Sequence, residues 1–259
     1  MRLHYEIGGS GPRVLFFNGS GATLEGSAVI IKGLREFSSV LAHDQRGLGK
    51  TGVIDGPFTM QQYAQDSAEL LDHVGWRSCI IVGISFGGMV AQEFAVTHPE
   101  RVEKLVLLCT AAGGVAGASY PLHEDVHLDP AARAGKQIPI FDTRFTPDHL
   151  AKDAFAAALA KMLRDREHVP KSDEVRRGEL LQLEARRHHD VAGRLERITC
   201  PTLVMAGKYD GIAPVANCQA IADRIPNSEL RIYEGGHLFI VQDPAAVADI
   251  GRFVVEPNF

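Results

Sequence analysis

The pentapeptide Gly83-Ile84-Ser85-Phe86-Gly87 stands between an apolar run at 79–82 and a helical pattern at 86–97. With a strand before it and a helix after it, the serine of a G-x-S-x-G frame sits on a sharp turn that lifts its Oγ clear of the sheet. The glycines on either side leave room for the neighbouring strand and helix. The first turn of the helix supplies N–H groups that have no partner within the helix. A serine hydroxyl is a weak nucleophile alone. It needs a base, and the base needs an orienting acid. When the chain order is serine, acid, histidine, the acid follows a late strand and the histidine follows the next one. Asp210 ends Gly207-Lys208-Tyr209-Asp210, just past a strand pattern at 202–206, and His237 ends Glu234-Gly235-Gly236-His237, just past another at 230–233. The two glycines are expected to give that loop the freedom to swing His237 towards Ser85 and Asp210. Two competing acids are set aside: Asp190 falls in a helical region, and Asp243, followed by Pro244, reads as a helix cap. None of the other ten histidines lies in a loop after a late strand.

Attack on a carbonyl also needs two N–H donors for the oxyanion. The first expected donor is the amide of Phe86, the residue after the nucleophile. The second is expected from Asn18-Gly19-Ser20-Gly21, the loop after the strand pattern at 14–17, with Ser20 preferred and Gly19 as the alternative. No metal is expected, since there is no H-E-x-x-H or paired C-x-x-C pattern, and adjacent His188 and His189 cannot share one helix face. No dinucleotide cofactor is expected either, because Gly19 and Gly21 lack the rest of a G-x-G-x-x-G fingerprint.

These residues must be positioned by a sheet. Strand patterns at 2–7, 14–17, 39–42, 79–82, 105–109, 202–206 and 230–233 alternate with helical ones, and most are continuous apolar runs. That combination predicts an α/β fold with a mostly parallel, doubly wound sheet, its strands covered on both faces. Thr59 with Gln62 is a capping box that opens a helix to about Val74. The rhythm breaks between 113 and 197, where helical stretches are expected at 146–166 and 172–194 with no strand between them. The chain is therefore expected to divide into a core, 1–112 and 200–259, and an inserted helical lid, 113–199. The lid is expected to bind substrate through residues the sequence does not identify.

Asn18-Gly19-Ser20-Gly21, Asp44-Gln45-Arg46-Gly47-Leu48-Gly49, the elbow at Ser85, Gly207-Lys208-Tyr209-Asp210 and Gly236-His237 together resemble the serine α/β-hydrolases over the whole chain. The resemblance implies the α/β-hydrolase fold, structural rather than catalytic roles for Asp44 and Arg46, and cofactor-free acyl transfer. Among members the chain is most similar to the 3-oxoadipate enol-lactonases and carboxylesterase-like relatives. The features that carry this are Asn18, Leu108-Cys109-Thr110-Ala111-Ala112 and Phe145-Thr146-Pro147. Dehalogenases and epoxide hydrolases of this fold carry aspartate where this chain has Ser85. The expected reaction is hydrolysis of a small-molecule ester or lactone. Carbon–carbon bond hydrolysis, cofactor-free perhydrolysis and a non-catalytic ligand receptor are the alternatives.

Composition narrows the setting. The 259 residues carry 27 Lys and Arg against 32 Asp and Glu, a formal charge of −5, which argues against a nucleic-acid partner. Residues 120–199 hold 14 basic and 14 acidic groups and six of the eleven histidines, so the net charge belongs to the remainder. In that segment Arg176-Arg177 and Arg186-Arg187 are interleaved with Glu174, Glu179, Glu184 and Asp190 and are expected to form a solvated, ion-paired face. Four scattered cysteines do not make a disulfide framework. With no apolar run near the ~20 residues of a membrane span and no secretory h-region at the N-terminus, a cytoplasmic location is expected.

Overall fold

The computed structural model describes residues 2–53, 56 and 58–256. It is built around seven strands: β1 (Tyr5–Gly8), β2 (Arg13–Phe17), β3 (Ser39–His43), β4 (Cys79–Ile84), β5 (Val102–Leu108), β6 (Thr202–Gly207) and β7 (Ser228–Tyr233). They form one sheet in the order β1-β3-β2-β4-β5-β6-β7, antiparallel only where β1 meets β3. All seven strands fall where the sequence predicts them, with ends that coincide or shift by up to three residues. The register Phe17↔Gly83, Ile84↔Leu108 and Gly207↔Tyr233 brings the carboxyl ends of β2, β4, β6 and β7 to one edge, where open parallel sheets bind ligands.

The inner strands β2, β3, β4 and β6 read as nearly unbroken apolar runs because helices cover both faces, whereas the edge strands β1 and β7 are mostly exposed or half-buried. Leu15, Phe17, Ile81 and Val204 point to one side, and Val14, Phe16, Val82 and Met205 to the other. Helices α1 (Ala28–Arg35), α2 (Met60–His73) and α3 (Phe86–Thr97) lie between the early strands. The capping box of α2 is formed in full, with Thr59 Oγ1 accepting from Gln62 N–H and the Gln62 side chain accepting from Thr59 N–H.

Between β5 and β6 the chain makes four helices and no strand: α4 (Pro130–Phe141), α5 (Pro147–Leu150), α6 (Ala154–Glu167) and α7 (Asp173–Arg187). The single helix expected at 146–166 is two, because Asp153 caps a fresh start by accepting from Ala156 N–H. The helix expected at 172–194 ends at Arg187, and a 3₁₀ stretch follows at Ala192–Arg197. Helix α4 is an addition to the expected set, although Asp129-Pro130 carries the same cap-then-proline punctuation as Asp243-Pro244. The stem of this insert is pinched where Gly113 bridges Asp190 and Val191 N–H donates to the Ala112 carbonyl. Helices α8 (Val215–Ala222), α9 (Phe239–Gln242) and α10 (Pro244–Val255) complete the chain, with Asp243 capping α10. No helix among the described residues is long and apolar enough to cross a membrane.

Candidate active site

Ser85 joins β4 to α3 with φ 54° and ψ −114°, a conformation a non-glycine residue holds only under tight restraint. The restraints are visible. Ser85 N–H donates to the Leu108 carbonyl at 2.9 Å, and the Ser85 carbonyl accepts from Thr110 Oγ1 at 2.8 Å. The flanking glycines are needed for close approach: a Cβ on Gly83 would lie 2.4 Å from the Gly87 carbonyl, and one on Gly87 would lie 2.2 Å from the Phe17 carbonyl.

The turn brings Ser85 Oγ to 2.9 Å from His237 Nε2, and His237 Nδ1 lies 2.7 Å from Asp210 Oδ2. The other oxygen of Asp210 accepts from the N–H groups of Ile212 and Ala213 at 2.7 and 2.9 Å, which fixes the carboxylate. The structure thus brings the three residues together as a hydrogen-bonded chain, and all three are buried.

The histidine loop differs from expectation in one respect. Gly235 and Gly236 provide room, not freedom. A Cβ on Gly236 would lie 2.1 Å from the Phe141 carbonyl, and one on Gly235 would lie 2.7 Å from Phe239 Cα. The loop is held firmly: His237 N–H donates to the Phe141 carbonyl at 2.5 Å, and Gly236 N–H donates to Gln242 Oε1 at 2.9 Å. Gln242 in turn donates to Asp142, which is clamped bidentately by Arg144. The Phe141 ring stands edge-on to the imidazole at 5.7 Å. Phe141 ends helix α4, outside the expected helices, so sequence reasoning missed a residue that touches the histidine.

Ser20 lines the same cavity as Ser85, Phe86 follows Ser85 directly, and neither N–H donates to a protein acceptor among the described residues. Their backbones are braced. Asn18 is fully buried and its carbonyl accepts from Gln45 Nε2 at 2.7 Å, while Phe86 meets Tyr63 edge-on at 5.1 Å. Asp44 accepts from Leu24 and Lys50 N–H groups, and Arg46 forms a buried bidentate pair with Asp66 at 2.7 Å. Both are committed to scaffolding and not to the cavity.

A cavity of about 260 Å³ opens over Ser85 and His237. Its apolar lining includes Ile30, Ile84, Val126, Ile138, Met162 and Leu238, and Gln137, Gln182 and Arg166 contribute polar groups. Three of these apolar side chains and all three polar ones come from the insert, for which the sequence names no binding residue. The expected solvated arginine face is only partly present. Arg176 and Arg187 lie near Asp173 and Glu184 on the surface. Arg186, however, is buried and donates to Ser119 Oγ at 2.7 Å, and burial pulls its pKa down to about 10.

Among the described residues, the one group of three close metal-donor atoms is Cys109, Asp210 and His237. Asp210 and His237 are bonded to each other, and burial holds the Cys109 thiol well above its ordinary pKa, against the thiolate a metal requires.

Comparison with known proteins agrees with this architecture. A poly(3-hydroxyalkanoate) depolymerase of Ectopseudomonas oleovorans is 34% identical over 242 residues, covering 92% of this chain and 82% of the relative. A 3-oxoadipate enol-lactonase of Acinetobacter baylyi is 30% identical, covering 91% and 85%. The crystal structure of the enol-lactonase from Burkholderia xenovorans superposes with a TM-score of 0.81 at 25% identity over 98% of this chain and 96% of the other. The family model for the alpha/beta hydrolase fold matches residues 12–244, and the chain belongs to the α/β-hydrolase family.

Proposed function

We propose that this protein is a hydrolase of ester bonds that cleaves a small carboxylic ester or lactone through an acyl-enzyme on Ser85. Residues 1–112 and 200–259 would form the catalytic core, with 113–199 as a lid that shapes the substrate cavity. The observation that carries the reading is the chain Ser85 Oγ, His237 Nε2, His237 Nδ1, Asp210 Oδ2, with links of 2.9 and 2.7 Å, at the floor of an otherwise largely apolar cavity. The relatives named as a depolymerase and an enol-lactonase support the same bond class.

In the reaction, His237 Nε2 takes the Ser85 proton as Oγ attacks the carbonyl carbon. Asp210 keeps the proton on Nδ1, which leaves Nε2 as the base and stabilises the imidazolium that forms. The negative charge that develops on the carbonyl oxygen is met by the Phe86 and Ser20 N–H groups, each worth about 10²–10³ in rate. Imidazolium then protonates the leaving alcohol. In the second half His237 activates a water, which releases the acid and restores Ser85. For a lactone the alcohol and the acid remain one molecule, so ring opening yields a single hydroxy acid. No step requires a cofactor.

The buried thiols fit a reducing, cytoplasmic setting. The test is turnover of a panel of short-chain esters and lactones by the purified protein and by Ser85→Ala. The variant is expected to lose about 10⁴-fold or more in kcat. Full activity in Ser85→Ala would refute the mechanism.

A further inference from the structure

The wall of the cavity beside Ser20 is assembled by two insert residues. Arg166 of α6 donates from Nη2 to the Ser20 carbonyl at 3.1 Å, and Gln182 of α7 accepts the Gly21 N–H on Oε1 at 2.7 Å. The Ser20–Gly21 peptide is therefore held at both its carbonyl and its N–H. Helix α7 can reach so far in because it meets the core backbone directly at Gly178, where a Cβ would lie 1.8 Å from the Gly47 carbonyl.

The Gly21 bond also fixes which way the Gln182 carboxamide faces. With the amide reversed, two N–H donors would confront each other, so Oε1 belongs on Gly21 and Nε2 on the opposite side. Gln182 is 1% exposed and lines the cavity, yet Nε2 is buried without an acceptor among the described residues. The Ser20 hydroxyl, on the same wall, is likewise buried without a partner among the described residues. A buried donor left unpaired is costly, and here it borders the space a substrate would occupy. Of the cations nearby, Arg133 pairs with Glu167 at 2.9 Å and Lys171 with Glu179 at 2.8 Å, while Arg166 holds the neutral Ser20 carbonyl. The open groups on Gln182 and Ser20 are uncharged and suit a hydroxyl or carbonyl oxygen.

We propose that Gln182, with the Ser20 hydroxyl, forms a specificity subsite that takes a neutral oxygen on the acyl side of the substrate, a few bonds from the scissile carbonyl. The inference rests on the serine-hydrolase reading and adds the substrate class. Gln182 acts twice over: its oxygen holds the Ser20–Gly21 peptide, next to the one that carries the Ser20 N–H, and its NH₂ selects the substrate.

The two roles separate in a matched pair of substrates, the p-nitrophenyl esters of 3-hydroxybutyrate (each enantiomer) and of 3-methylbutyrate, in which a methyl group replaces the hydroxyl. The readout is the ratio of their kcat/KM values, which cancels losses common to both. Wild type is expected to favour one hydroxy enantiomer at least tenfold. Gln182→Glu keeps an acceptor for Gly21 and loses the NH₂, and its ratio is expected to fall to about one. Gln182→Leu loses both groups, so the ratio collapses and both esters also slow. A wild-type ratio near one, or an unchanged ratio in both variants, would overturn the subsite and leave the serine mechanism standing. No turnover of either ester, together with no labelling of Ser85 by a fluorophosphonate, would remove the underlying reading and the subsite with it.

Discussion

On the sheet side of the cavity, Ser85, Asp210 and His237 each follow a strand end; β4 and β6 are buried on both faces, and β7 is a half-exposed edge strand. Phe16, Phe17, Ile81, Leu105 and Met205 have no exposure, and Asp210 and His237 hang from β6 and β7 with backbone restraints on each. On the lid side, the local core is a small cluster around Ala134, Ile138, Phe145, Ala156, Leu159, Ala160 and Leu163, while Phe155, Met162, Val169 and Leu180 are exposed. Rigid attachment serves the chemistry, which tolerates little displacement of the nucleophile and base. On the proposed function, the thinly cored insert serves recognition, which can change with a few side chains while the reaction stays the same. On that reading, the difference assigns rate to the sheet ends and substrate choice to the insert.

The largest effect that can upset this division lies at Asp210. Asp210→Asn is expected to lower kcat/KM by about 10³–10⁴, because the carboxamide no longer secures the proton on Nδ1. Its preference among acyl groups is expected to stay as in wild type. A change of substrate preference without loss of rate would reverse the roles of the two regions.

A pair of truncations extends the contrast to stability. Phe94 has no exposure and its ring packs 6.3 Å from Phe17 under the sheet, so Phe94→Ala is expected to cost about 3–5 kcal/mol in denaturant unfolding. Leu163 lies in the small lid cluster and on the cavity, and Leu163→Ala is expected to cost about 2–3 kcal/mol and to move KM more than kcat. Equal costs, or an unchanged KM in Leu163→Ala, would dissolve the distinction.

The smallest effect per group is expected in pH dependence, and both regions carry it. His43 at the end of β3 and His189 at the return of the insert are buried, and burial lowers each pKa to about 4. The folded chain keeps both neutral between about pH 6.5 and 4, while the unfolded chain protonates them near 6.5. Stability is therefore full above about pH 6.5, falls as pH drops through that window, and levels off below about 4. By about pH 5 the loss is roughly 2 kcal/mol for each histidine. Urea midpoints measured from about pH 7.5 down to 5 check this, with a shallower slope expected in His43→Phe; a flat profile in wild type would contradict it.

The core is legible in the sequence because its signals are local. A G-x-S-x-G between a strand and a helix, a turn acid and a glycine–glycine–histidine loop each announce themselves within a few residues, and apolar runs mark the buried strands. Even there the role of Gly235 and Gly236 is not readable locally, since only the folded chain brings the Phe141 carbonyl against Gly236. The lid is less legible because its meaning lies in long-range contacts. Nothing near Gln182 in sequence indicates that its partner is Gly21, 161 residues away. Arg186 reads as part of a charged surface, but the next residue on the helix faces solvent while Arg186 faces Ser119. Helix α4 escapes for a different reason. Its Asp129-Pro130 start is readable, but Pro139 near its end and a modest apolar pattern obscure the rest.

Whether Ser85 is the nucleophile, with His237 and Asp210 as its activating pair, is decided by intact-mass and peptide-mass measurement after treatment with a fluorophosphonate. One adduct per chain is expected, on the peptide containing Ser85, absent in Ser85→Ala and formed far more slowly in His237→Ala. An adduct on another residue, or one retained in Ser85→Ala, would show that the assignment is wrong.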